Sequence, residues 1–197
     1  TRIVIERNQV FMSNIGIEIA SEHQGRATSE ITVRNNLIYY NHIAGLAMGG
    51  YDTQRGSTEN STIVNNTFFG NDSNQDGNGE LWIQFDTRNN IIQNNIFFAN
   101  SQSWLITNPY TQNQNNVVDY NLYFAPAGID GSEWQWKNTF HQGFADYQSA
   151  TGNDAHSIFI DPQLSGTSVS EYRLLSGSPA IDTANCASAP AEDFSGD

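Results

Sequence analysis

The sequence predicts an all-β chain, a solenoid of about five coils built from short parallel strands. Three observations carry that expectation. A motif of apolar strand, Asn and apolar triplet recurs along the first 126 residues. Short segments alternating at period 2 run between the copies. The composition, with 24 Asn and a single Lys at Lys137 among 197 residues, is poor helix material.

The copies are residues 3–14, 31–41, 61–71, 90–100 and 116–126. Their leading Asn falls at Asn8, Asn36, Asn66, Asn95 and Asn121. The closing Asn falls at Asn14, Asn41, Asn71 and Asn100, with Pro126 in its place in the last copy and one extra residue in the first. A second strand follows each of four copies: residues 16–19, 45–48, 80–84 and 104–107. Strands at this period with no helix between them stack as coils about 4.8 Å apart. Asn at a coil corner tolerates the left-handed conformation. Stacked on its copies, it also hydrogen-bonds along a ladder, so the repeated Asn is read as structural. A leucine-rich repeat also carries an Asn ladder, but it needs Leu at fixed offsets, and the chain has only 8 Leu.

Beyond residue 126 the period fails. Residues 127–157 read as a long aromatic excursion packed on the solenoid, with Trp134-Gln135-Trp136 read as core under it in preference to a cleft wall. The runs around Asp161-Pro162, Tyr172-Arg173-Leu174 and Gly177-Ser178-Pro179-Ala180-Ile181-Asp182 read as a closing segment that caps the open strand edges. The division is therefore coils over 1–126, then excursion and cap over 127–197 in the same domain.

The strand–Asn–strand copies and the closing run resemble the right-handed parallel β-helix proteins of the pectate-lyase-like superfamily, of the secreted bacterial type. The resemblance implies a right-handed coil, a secreted or cell-surface location, and a polysaccharide or oligosaccharide partner. It implies a lyase or a glycoside hydrolase, with a non-catalytic carbohydrate-binding or adhesin-like module as the alternative. Fold alone does not decide between them. Against the family pattern the tail 191–197 looks cut short, and the chain opens directly on strand-like alternation. The chain is therefore read as a mature or excised fragment.

Charge narrows the partners. The net charge is −13, which argues against a nucleic-acid groove. No stretch approaches a membrane span, and a monomer is expected. One cysteine, Cys186, excludes an internal disulfide. Four scattered His with one Cys argue against a zinc site.

Aligning the second strands gives outward columns: Glu18, Ala47 and Trp82, then Ala20, Gly49 and Gln84, then Glu22, Tyr51 and Asp86, then His23, Asp52 and Thr87. Arg26, Arg55 and Arg88 lie just beyond, with Arg26 and Arg55 expected in register. Rings that stack on sugars beside carboxylates and amides that take hydroxyls describe a saccharide cleft. Glu18, Glu22, His23, Asp52 and Asp86 are the candidate proton-transfer groups; Tyr51, Trp82, Gln84, Arg26, Arg55 and Arg88 are the candidate substrate contacts. Hydrolysis needs two carboxyls at a set separation. Glu18 and Glu22 would stand roughly 13 Å apart on one strand, and Glu22 and Asp86 about 9.6 Å apart across coils, so no pair is decided. β-Elimination needs a base, for which Lys137 lies outside the coils and Arg, His23 or Tyr51 would have to serve.

Asp72-Ser73-Asn74-Gln75-Asp76-Gly77 matches the first six positions of a calcium loop. The twelfth position is Ile83 rather than Glu, so Glu80 is the substitute ligand. Calcium on Asp72, Asn74, Asp76 and Glu80 is the expected cofactor.

Overall fold

A computed structural model describes residues 2–165 and 172–196. The Glu171 end of the closing run lies outside the described residues. The chain winds as a parallel β-solenoid of about five coils with one short helix. Each coil contributes a strand to each of three stacked parallel sheets. Sheet 1 joins Ile3–Glu6, Ile31–Arg34, Thr62–Val64, Ile91–Gln93 and Val117–Asp119. Sheet 2 joins Gln9–Phe11, Leu37–Tyr39, Thr67–Phe69, Ile96–Phe98, Leu122–Phe124 and Ile158–Phe159. Sheet 3 joins Ile15–Ala20, Ala44–Gly49, Leu81–Ile83, Trp104–Asn108 and Glu133–Trp136, with Thr139–Gln142 antiparallel at its edge. A shorter parallel sheet of Ala27–Ser29, Ser57–Glu59 and Thr87–Arg88 fills the long turn after sheet 3.

Register makes the core a set of columns. Val33, Ile63, Ile92 and Val118 stack in sheet 1. Ile38, Phe68, Phe97 and Tyr123 stack in sheet 2. Ile17, Leu46, Leu81, Ile106 and Trp134 stack in sheet 3. All are buried. The Phe68 and Phe97 rings stack at 4.8 Å and those of Phe97 and Tyr123 at 5.3 Å, adding ring attraction to the burial.

The leading Asn forms the expected ladder, with a shift in which residue carries the strained backbone. The positive φ belongs to the residue before each ladder Asn: Arg7, Asn35, Asn65, Asn94 and Tyr120. The ladder Asn itself faces inward. Asn66 Nδ2 donates to Val33 O, Val64 O and Asn95 Oδ1 at 3.0–3.1 Å. Its Oδ1 accepts the backbone N–H and Nδ2 of Asn36 at 3.0 and 2.9 Å. The ladder ends where Asn121 N–H donates to Ser157 Oγ at 2.7 Å.

The closing ladder differs from expectation at both ends. Ser13, not Asn14, stands in line, its N–H donating to Asn41 Oδ1 at 3.0 Å. Asn100 leaves the line and bonds Asn71 O and Asp72 O instead. Glu80 ends this ladder, accepting Asn71 N–H at 2.9 Å and Asn71 Nδ2 at 2.5 Å. It sits one residue before Leu81, the place Gly45 holds one coil earlier. A Cβ on Gly45 would lie 2.9 Å from Asn71 Nδ2, which explains the small residue there. A further ladder of Ser61, Asn90 and Asn116 turns the corner before sheet 1.

The excursion is more regular than its sequence reads. Glu133–Trp136 and Ile158–Phe159 continue sheets 3 and 2 as a last partial coil. Trp134 is fully buried, as expected of core. The end cap is the helix Phe144–Thr151, whose Tyr147 stacks on Trp134 at 4.4 Å. The closing run takes a different course: residues 172–196 lie along the flank, over the corner between sheets 1 and 2. Tyr172 stacks on Phe69 at 4.6 Å, Asn185 and Asn94 exchange hydrogen bonds, and Glu192 pairs with Arg7.

Candidate functional site

The outer face of sheet 3 carries the first expected column. Glu18, Ala47 and Trp82 are in register, and the column continues through Thr107 and Gln135. Glu18 is exposed, Ala47 is buried, and Trp82 is half-buried. Trp134 Nε1 bonds Ser132 and Trp104 Nε1 bonds Thr107. Among the described residues, Trp82 has no ring partner and its indole N–H no acceptor. Trp104 and Phe140 pack at 5.6 Å beside this column, with Phe140 exposed. The three aligned strands left both out: Trp104 lies on the fourth strand, three residues before the Thr107 of the column, and Phe140 lies on the antiparallel edge strand.

The other columns dissolve at the strand ends. Ala20 and Gly49 pair, but Gly49 has φ 99 and the next residue bridges Phe85 antiparallel. Gln84 is therefore fully buried rather than presented, and its side-chain amide has no hydrogen-bond partner. Asp86 has φ 60 and turns the chain again. Glu22, His23, Arg26, Tyr51, Asp52 and Arg55 sit on the loops beyond. Arg26 falls beside Gly56, one residue out of line with Arg55.

The acids on these loops are held by cations. Arg55 Nε lies 3.6 Å from Glu22 Oε2 and 3.9 Å from Asp52 Oδ1. Arg88 grips Asp86 through Nε and Nη2 at 2.6 and 2.5 Å and reaches Glu59 Oε1 at 3.3 Å. Tyr51 is exposed, and its backbone carbonyl accepts the Tyr110 hydroxyl at 3.4 Å. Glu18 makes no ion pair among the described residues.

The expected calcium loop closes on itself. Asp72 is buried, and its carboxylate accepts the N–H groups of Asp76, Gly77, Asn78 and Gly79 at 2.9–3.2 Å. Burial raises the Asp72 carboxyl, and these four bonds partly offset it. Asn74 and Asp76 are exposed, while Glu80 points to Asn71. Among the described residues, no three His, Cys, Asp or Glu side chains gather as a metal site.

The two most perturbed acids lie elsewhere. Burial pushes Glu80 up to about 8, with Asp72 raising it further and the Asn71 bonds opposing. Burial pushes Asp154 up to about 7 against bonds from Ser157, Asn121, Tyr123 and Tyr147. Both terminate Asn ladders inside the solenoid, so they hold coils together rather than face a substrate.

A cavity of about 430 Å³ is on the opposite side, between the sheet 1–sheet 2 corner and residues 172–196. None of the candidate residues lines it. No helix of the described residues is long and apolar enough to cross a membrane.

A similar protein is the uncharacterized protein YwoF of Bacillus subtilis (strain 168), 39% identical over 178 residues. The match takes in 90% of this chain and 38% of YwoF, so the chain spans well under half of that relative. No protein-family model and no solved structure matches the sequence.

Proposed function

We propose that this chain is a secreted or cell-surface β-solenoid of the pectate-lyase-like superfamily that binds a polysaccharide across its coils, on the outer face of sheet 3. The observation that carries the reading is the Glu18–Ala47–Trp82–Thr107–Gln135 column. It sets an unpartnered indole between a small floor residue with a free carboxylate on one side and, beyond the buried Thr107, the amide of Gln135 on the other. Sugars meet such a surface through ring stacking on the indole and hydroxyl bonds to its neighbours.

Binding is favoured over cleavage because the acids best placed for proton transfer are occupied. Glu22 and Asp52 share Arg55, and Asp86 is forked by Arg88.

Affinity electrophoresis against neutral, uronate and amino polysaccharides tests the proposal. Retardation by at least one polymer is expected, with Trp82→Ala weakening it about tenfold or more, the range of one lost aromatic contact. Reducing-end and unsaturated-product assays should show no turnover by the parent. Turnover abolished in Glu22→Gln moves the protein to the enzyme reading. Failure of the parent to bind any polymer removes the proposal.

A further inference from the structure

We infer that the cavity under residues 172–196 is a second binding site, for a small neutral saccharide of one or two residues. Its floor is the outward column of sheet 2, where Thr67, Ile96, Leu122 and Ile158 follow one another in register. One wall is the row of corner residues with positive φ, whose side chains project outward because the ladder Asn beside each turns in. The roof is the C-terminal segment, with Thr183, Ala184 and Phe194. The volume of about 430 Å³ falls within the range of small-molecule sites.

The polar groups ask for a ligand that donates. Asn35 is 3% exposed and lines the cavity. Its Nδ2 donates to Glu192 O at 2.7 Å, while its buried Oδ1 has no partner. Buried acceptors are normally satisfied, so this one marks a place for a hydroxyl. Asn65, on the same wall, makes no side-chain hydrogen bond among the described residues. His156 adds an oriented ring nitrogen. Its Nδ1 meets Asp119 Oδ2 at 2.7 Å and its ring stacks on Tyr120 at 4.6 Å. The carboxylate takes the Nδ1 proton, which leaves Nε2 as the ring nitrogen free to meet a ligand hydroxyl.

Chemistry then selects among ligand classes. An apolar ligand would leave Asn35 Oδ1 and the Asn65 amide without a partner. An anion would meet a chain of net charge −13 with Arg173 as the cation of the lining. A neutral sugar matches both surfaces, its C–H face on the aliphatic floor and its hydroxyls on the amide wall. This site is separate from the Trp82 face in both residues and position.

The test is an ¹H–¹⁵N NMR titration of the full chain with neutral mono- and disaccharides, done on the parent and on Trp82→Ala. Saturable shifts at Asn65, Asn94 and Tyr120 that survive Trp82→Ala are expected. Ala184→Trp, which fills the cavity from the roof and leaves the ladders alone, should weaken that binding about tenfold or more. Its amide spectrum, elsewhere unchanged, reports that it folds. Shifts confined to the Trp82 face, no shift with any saccharide to millimolar concentration, or full affinity in folded Ala184→Trp each overturn the site.

Discussion

Asn66 links three coils through one amide, and its loss is the sharpest test at the scale of a residue. Asn66→Ala leaves Asn36 N–H without its acceptor in a buried corner and takes the Nδ2 donor away from Val33 O and Val64 O. Each unsatisfied group costs about 1–3 kcal/mol, so chemical denaturation should show a loss of several kcal/mol with an unchanged slope. A midpoint equal to the parent's would remove the ladder from the account of stability. The buried acids give a second prediction. Glu80 titrates near 4.5 unfolded and about 8 folded, and Asp154 near 3.8 and about 7. The folded state therefore holds protons that the unfolded chain has released. Stability should be greatest below about pH 4 as far as these groups decide it, and fall as pH rises, up to about pH 7 for Asp154 and about pH 8 for Glu80, by roughly 1 kcal/mol per unit for each group in its window. Glu80→Gln should flatten the upper part of that slope in thermal melts. The residues of the leading ladder were legible from spacing alone. Which residue takes the positive φ was not, because Asn35-Asn36, Asn65-Asn66 and Asn94-Asn95 each offer two adjacent residues that tolerate it.

At the scale of an element, the loop 72–79 and sheet 3 show where pattern and structure part. The loop has the spacing of a calcium site, but spacing does not say which way a carboxylate faces. Asp72 turns into its own loop and takes four amides, as an anion in a backbone nest does. Chelator in excess should therefore leave the melting temperature unchanged, whereas Asp72→Ala should lower it. A drop with chelator, reversed by Ca²⁺, would restore the calcium expectation. In sheet 3 the Glu18–Ala47–Trp82 column was readable because period 2 holds throughout those strands. The columns of Gln84 and Asp86 were not, because Gly49 and Asp86 turn the backbone with φ 99 and 60. The ladder of Ser61, Asn90 and Asn116 escaped notice because its first rung is a serine. The last partial coil escaped because a hairpin and the helix Phe144–Thr151 interrupt its strands.

For the whole molecule, stacked coils make each face a line of side chains about 4.8 Å apart, suited to a partner that is itself a repeating chain. The solenoid was legible from the sequence because every coil repeats the same corner. The path of residues 172–196 was not, because it is fixed by tertiary pairs such as Asn94–Asn185 and Tyr172–Phe69, which leave no period. The central claim is that a glycan stacks on Trp82. It is tested most directly by ¹⁹F NMR of the chain labelled with 5-fluorotryptophan, whose four Trp give separately assignable signals. On adding a polysaccharide that the protein retains, the Trp82 signal should shift, while that of Trp134, which is fully buried, should stay in place. Saturable binding with the Trp82 signal unmoved would contradict the account.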